Sequence, residues 1–256
     1  MPPPERIDPD RREELRERED EEEIRAATGR RPPEPERTMR GFIDRRDAGE
    51  HLALALRDVL PADEDEVVLA IPRGGVEVGA VVAAALGAPL DVVIPRKVGA
   101  PGNPELGLGA VAEGVQVLDA GLIAALGVDD DYLRLEVARQ MEEIRRRTDA
   151  YRGGRRAADL RGRVAVVVDD GVATGGTAVA ALRWARARGA KRVVLAVPVA
   201  PAEGVRRLRA EAEDVVALIA PEHFFAVGQW YGDFPQVGDE RVVRLLAEAR
   251  SAGGAP

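Results

Sequence analysis

Beyond residue 40, apolar residues fall into short unbroken runs separated by stretches with helical spacing. Residues 66–71 (EVVLAI) are apolar without alternation after the first, the pattern of a strand covered on both faces. Runs at 90–94, 163–168, 192–197 and 215–219 predict four more such strands. Helical spacing between them predicts helices over 47–60, closed by Pro61, over 76–86, stopped by Gly87, and over 177–188 and 202–210. A longer amphipathic helix is predicted over 129–151, with Leu133, Val137, Met141, Ile144 and Thr148 on one face. Its Asp-rich start and Arg-rich end both suit the helix dipole. Short runs at 108–112 and 115–118 flank Glu113-Gly114 as a hairpin, and residues 96–107, rich in Gly and Pro, read as a long irregular loop. Strands alternating with helices imply parallel pairing through right-handed crossovers. The expectation is a doubly wound, mainly parallel α/β sheet flanked by helices.

Composition refines that outline. Residues 1–38 are dense in Arg, Glu, Asp and Pro, with almost nothing to bury, and read as a disordered charged arm. The folded domain is expected over 39–250, with a flexible tail at 251–256. A net charge of −8 argues against a general nucleic-acid partner. No apolar run approaches a bilayer span, so a soluble cytoplasmic protein with no membrane partner is expected. The chain has no cysteine, and its one serine, Ser251, stands in the Gly/Ala/Pro tail, which leaves no thiol nucleophile and makes a serine nucleophile very improbable. His51 and His223 are too far apart in sequence for a helical zinc pair, and no protein-held metal site is expected.

The chemistry concentrates in residues 166–177, V-V-V-D-D-G-V-A-T-G-G-T. A buried strand delivers Asp169 and Asp170 to its C-terminal rim, where ligands of such sheets bind. The chain then turns through Ala173, Thr174, Gly175 and Gly176 into a helix beginning at Thr177. Loop N–H groups, two threonine hydroxyls and the helix's positive end converge there as a phosphate cradle. Two carboxylates beside such a cradle make sense if the ligand also brings hydroxyls or a cation, as a ribose 5-phosphate does. Neither a Walker A loop nor a GxGxxG after the first strand is present.

Four apolar residues, two acids and A-T-G-G-T resemble the phosphoribosyl pyrophosphate (PRPP) motif of type I phosphoribosyltransferases. The resemblance spans about residues 40–245. It implies that Asp169 and Asp170 hold the ribose hydroxyls and that residues 173–177 bind the 5-phosphate. A-I-P-R-G-G at 70–75 is similar to the family's pyrophosphate loop, often built around a non-proline cis peptide, with Arg73, Gly74 and Gly75 contacting the diphosphate. Residues 96–109 resemble its lid, with Arg96 and Lys97 at the root and Lys97 as a diphosphate contact. Glu105 is a weaker candidate for proton transfer.

Residues 221–237 resemble the family's hood, where Trp230 and Tyr231 are candidates to stack on the acceptor. Ala173 stands where the hypoxanthine-guanine branch carries an acid, so a 6-oxopurine mechanism of that form is not expected. By the resemblance the chain is a pentosyltransferase moving the 5-phosphoribosyl group from PRPP to a nitrogen nucleophile. Mg2+ would be held mainly by PRPP and water, and a homodimer is implied. A PRPP-binding sensor with little catalysis is the alternative. PRPP synthesis fits poorly, since that class has two related domains and an ATP site.

Overall fold

The computed structural model describes residues 41–61 and 64–252. The charged arm expected over 1–38 lies outside the described residues, as do the last four of the tail.

The described chain begins with α1 (Arg45–Arg57), β1 (Glu66–Ala70), α2 (Gly74–Leu86) and β2 (Leu90–Val92). Three antiparallel strands follow: β3 (Arg96–Ala100), β4 (Asn103–Ala112) and β5 (Val115–Leu118). Helices α3 (Ala120–Leu126) and α4 (Asp130–Arg152) lead to β6 (Val164–Val168). Alternation resumes with α5 (Gly176–Ala187), β7 (Arg192–Val199), α6 (Ala202–Leu208) and β8 (Asp214–Ile219). A 3-10 turn (Val227–Trp230) and α7 (Asp239–Ala252) close it.

The main sheet is parallel throughout, in the order β2-β1-β6-β7-β8. Successive side chains of a strand point to opposite faces, and the core divides accordingly. Val68, Ala70, Val166 and Val168 face one layer with Leu52, Leu56, Val82, Ile144 and Leu246. Val67, Leu69, Ala165 and Val167 face the other with Leu182, Trp184, Val205 and Leu208. That two-sided burial is why these runs carry no polar alternation. Leu195 of β7 is fully buried among the apolar side chains of this second layer. Leu195→Ala is expected to cost about 2–5 kcal/mol, read as a lower midpoint of urea unfolding.

The predicted strands and helices all form, with ends displaced by a few residues, and two displacements matter. Helix α1 starts at Arg45 rather than Asp47, because Asp44 caps it by accepting from Asp47 N at 2.9 Å. Helix α2 starts at Gly74, so both glycines after Arg73 belong to its first turn.

The segment 96–107 is a correction. It is not an irregular loop but β3 and most of β4, with register shifts around Gly99 that absorb its Gly and Pro residues. The hairpin expected at 108–118 is therefore the outer half of a three-stranded sheet, β3-β4-β5.

On α4, Ile144 is buried and Leu133, Val137 and Met141 are packed as expected, but Glu136 and Gln140 are buried beside them. Helix α7 has no counterpart among the sequence expectations, and Ser251 lies in its last turn rather than in a tail. Among the described residues no helix is long and apolar enough to cross a membrane.

Candidate functional site

From β1 the chain crosses to β2 on one side, and later returns as β6 on the other side of β1. The loops leaving β1 and β6 therefore flank one crevice at the strands' C-terminal ends, the switch point where α/β sheets bind ligands. Residues 71–73, leading into the first turn of α2, and residues 169–175 are those loops.

Their approach is very close. A Cβ on Gly74 would lie 2.5 Å from Asp170 Cγ and 2.9 Å from Arg45 Nε. One on Gly75 would lie 2.8 Å from Asp169 Cα. Only glycine admits the carboxylate pair at this spot. The Pro72–Arg73 peptide between β1 and these glycines is cis.

Asp170 is held on two sides. Its Oδ2 accepts from Arg45 Nε at 2.7 Å, and its carbonyl accepts from the Tyr231 hydroxyl at 2.5 Å. Asp169 Oδ1 accepts from the Asp170 amide at 2.9 Å. Asp169 keeps some exposed area yet is packed round by protein atoms. Burial, and next the charge of Asp170, push its carboxyl well above the usual carboxylate range, with Arg45 opposing. Burial, then Asp170, also raises the Tyr231 phenol, which therefore stays a hydrogen-bond donor.

Beyond the two acids, Val172 is pinned by its amide to the Val199 carbonyl at 2.9 Å, while Ala173 and Thr174 are exposed. Gly175 takes φ +86° as the residue before α5, and no side chain caps that helix. The first N–H groups of a helix have no intrahelical acceptor, so α5 presents unspent donors and its positive end toward Thr174, Gly176 and Thr177. This is anion-binding geometry.

Of the other predicted residues, Arg73 is on the β1 loop, and Arg96 and Lys97 are on the second sheet. Arg73 precedes α2, with NH1 3.7 Å from Asp239 Oδ1, and that carboxylate also accepts from the Tyr151 hydroxyl at 2.6 Å. Arg96 and Lys97 are on β3 of the second sheet. Arg96 Nε donates to Gln140 Oε1 at 3.0 Å, and Gln140 donates to Glu136 at 2.7 Å, which explains the buried polar pair on α4. Lys97 is exposed, its methylene stem lying along Gly107.

The hood also differs from expectation. Tyr231 does not offer a face: its ring is buried between Phe42 at 5.4 Å and Phe234 at 4.7 Å between centroids. Trp230 has its indole N–H buried without an acceptor among the described residues. Phe225, 90 % exposed, is the hood aromatic most open to solvent.

Arg45 is the residue that the sequence reading missed. It is 6 % exposed, and its guanidinium lies 3.7 Å over the Phe234 ring. The capping pair Asp44 and Asp47 marks the start of this helix, but it places Arg45 and Arg46 alike in the first turn and does not single out Arg45.

Among the described residues no group of three or more His, Asp or Glu side chains is placed to hold a metal. The donor set at the crevice is two carboxylates, one already engaged by Arg45. That set does not form a cage of its own, so a hard cation here would take its ligands mainly from substrate oxygens and water.

A fully parallel sheet with a phosphate-type loop at its switch point defines an α/β protein with its candidate site between β1 and β6. A family model described as a phosphoribosyl transferase domain matches residues 45–231. The chain belongs to that family. It is 46 % identical over 212 residues to a Mycobacterium tuberculosis protein named "Putative phosphoribosyl transferase", covering 82 % of this chain and 47 % of the relative. The chain thus spans about half the length of the curated relatives it matches. The crystal structure of the protein TT1426 from Thermus thermophilus is similar at 51 % identity and a TM-score of 0.69, covering 81 % of this chain and 98 % of that one.

Proposed function

We propose that this chain transfers the 5-phosphoribosyl group of PRPP to a nitrogen nucleophile, with release of pyrophosphate. The observation that carries the reading is the uncapped start of α5 behind residues 173–177, with Asp169 and Asp170 at its root in the β1–β6 crevice. One arrangement offers donors for a phosphate and acceptors for two hydroxyls, which is the chemistry of a ribose 5-phosphate.

In this reading the amides of 173–177 and the hydroxyls of Thr174 and Thr177 hold the 5-phosphate. Asp169 and Asp170 accept from the ribose hydroxyls and steady the ring as positive charge grows at its anomeric carbon. Arg73 and the amides of Gly74 and Gly75 bind the diphosphate. Arg73 must exchange Asp239 for the ligand, and its present 3.7 Å separation makes that exchange easy. The β3–β4 ribbon closes over the crevice and brings Lys97 to the leaving group. Mg2+ bound through PRPP oxygens and water supplies further neutralisation of the diphosphate.

The bond from the anomeric carbon to the diphosphate oxygen breaks, and pyrophosphate leaves with the electron pair. A bond to the acceptor nitrogen forms, and that nitrogen's proton passes to solvent. Phe225, rather than Trp230 or Tyr231, supplies the open aromatic face for a flat acceptor. The engagement of both Arg73 and Arg96 by other protein groups favours one second reading, a PRPP-binding sensor with little turnover.

Calorimetric titration with PRPP and Mg2+ tests the reading, on wild type and on the Asp169→Asn/Asp170→Asn pair. Saturable binding is expected, weakened at least about 100-fold in the double variant by loss of two charge-assisted contacts. Pyrophosphate release on adding nucleobases then separates enzyme from sensor. A wild type that does not bind PRPP overturns both readings.

A further inference from the structure

The residues on either side of the core domain meet at Asp170. Residues 41–44 lie alongside the hood: Phe42 N donates to Trp230 O at 2.7 Å, Gly232 N to Phe42 O at 2.8 Å, and Asp233 N to Ile43 O at 2.8 Å. Residues of the hood therefore form one backbone-bonded unit with the approach to α1. That unit packs Val227 against Gly171 of the carboxylate loop and hydrogen-bonds Asp170 through two side chains, Arg45 and Tyr231.

Arg45 is the more informative of the two. Nε reaches Asp170 Oδ2 at 2.7 Å, while NH1 of the same planar fork reaches the Pro235 carbonyl at 2.8 Å. Phe234 supports the plane from below at 3.7 Å. Glu77 lies 3.8 Å from NH1, farther than Asp170, and has Arg241 as a closer partner at 3.1 Å. So the guanidinium bridges the ribose-side carboxylate and the hood backbone, with an aromatic ring setting its plane. A lysine carries the charge but cannot make both contacts from one rigid fork.

We propose that Arg45 is a positioning residue: it holds the Asp170 carboxylate in fixed relation to the hood, so that ribose binding and hood placement are coupled through one guanidinium. This rests on the phosphoribosyl reading above. Asp170 gives one oxygen to Arg45 and keeps the other for a ribose hydroxyl. Anything that shifts the hood, an acceptor included, then shifts the ribose contact, and PRPP in turn orders the hood. Coupling of this kind is reciprocal.

A mutant cycle on the full chain tests it. PRPP·Mg2+ affinity is measured by calorimetry for Arg45→Met, Arg45→Lys, Asp170→Asn and Arg45→Met/Asp170→Asn. Loss of a charge-assisted contact predicts about 10- to 100-fold weaker binding for Arg45→Met, with Arg45→Lys intermediate. Because Arg45 acts through Asp170, Arg45→Met is expected to add under about threefold in the Asp170→Asn background.

Two further readouts separate positioning from mere packing. Removing the Arg45 cation, which opposes the upward shift of the Asp169 carboxyl, should move the acid limb of PRPP binding to higher pH, whereas Phe234→Leu, which removes the supporting ring but no charge, should leave the limb in place. Amide hydrogen exchange over 227–235, measured without any ligand, should speed up in Arg45→Met and in Asp170→Asn alike.

Full additivity in the cycle, complete restoration by lysine, or an unmoved acid limb would each overturn the proposal. If wild type fails to bind PRPP, the phosphoribosyl reading falls; the exchange experiment then decides the Arg45–hood coupling by itself, and unchanged exchange rejects it.

Discussion

Asp169→Asn is expected to make the folded chain more stable at neutral pH while weakening PRPP binding. Asn keeps the oxygen that accepts from the Asp170 amide, so the local backbone bond survives. What disappears is a carboxylate whose pKa is raised by burial and by the charge beside it. A carboxyl raised on folding retains its proton longer in the folded state than in the unfolded one. The resulting stability is whole below the unfolded value of about 3.9, and is lost as pH rises through the higher folded value. Above that window the native chain carries an ionised, poorly solvated group next to Asp170.

The Asn variant escapes this penalty. Its Tm should match wild type near pH 4 and exceed it increasingly toward neutral pH, by about 2–4 °C for each kcal/mol relieved in a domain of this size. Affinity for PRPP should fall at least about tenfold for the one lost charge-assisted acceptor. Thermal melts across pH with parallel calorimetry check both halves. A variant no more stable than wild type at pH 7 would show that burial of Asp169 is not the cost inferred here.

Gly74→Ala should be damaging out of proportion to the single methyl group it adds. Gly74 lies in the first turn of α2, where alanine would ordinarily favour the helix by about 0.5–1 kcal/mol. Here the new Cβ would collide with the Asp170 carboxylate and stand 2.9 Å from Arg45 Nε. The carboxylate cannot swing aside without breaking its bond to Arg45, and Arg45 is held by Phe234 and Pro235.

Overpacking of this kind costs about 1–3 kcal/mol, which outweighs the helix preference. Urea unfolding should show the loss, and PRPP affinity should drop at least about tenfold as Asp170 is displaced. Gly176→Ala is the control for stability: it opens α5, and nothing lies within 4 Å of its Cβ position. Its unfolding midpoint should be unchanged or higher. If Gly74→Ala unfolds no earlier than wild type, the contact with Asp170 is looser than described.

The parallel sheet was legible because burial on two faces leaves no room for polar alternation. Runs such as residues 66–71 and 163–168 therefore identify strands without any knowledge of their neighbours. The carboxylate–glycine–threonine run was legible for a related reason, since its chemistry is local: strand end, loop and helix start are consecutive in the chain. The ribbon at 96–112 was harder to read. Its glycines and prolines suggest a loop in isolation, and pairing of β3 with β4 makes it a sheet. The polar residues Glu136 and Gln140 likewise look solvent-facing until Arg96 arrives from β3 to satisfy them.

Tyr231 was misplaced on the same ground. A sequence shows that Tyr231 and Trp230 are amphipathic rings, not which side of each ring meets Phe42, Phe234 or solvent. Arg45 is one arginine in an arginine-rich chain, and nothing local separates it from Arg46, which is exposed and pairs with Glu50.

By itself, then, the sequence determined most of the elements, their parallel pairing and the strand–loop–helix run of residues 166–177, because each depends on residues a few positions apart. Only the tertiary structure decided what surrounds the carboxylates: the glycine gap from α2, the guanidinium from α1 and the phenol from the hood. Those partners lie about 60 to 125 residues away from Asp170 in the chain, up to the full separation of Arg45 from Asp170. Contacts of that range are set by how the sheet folds its edges together, and no local pattern encodes them.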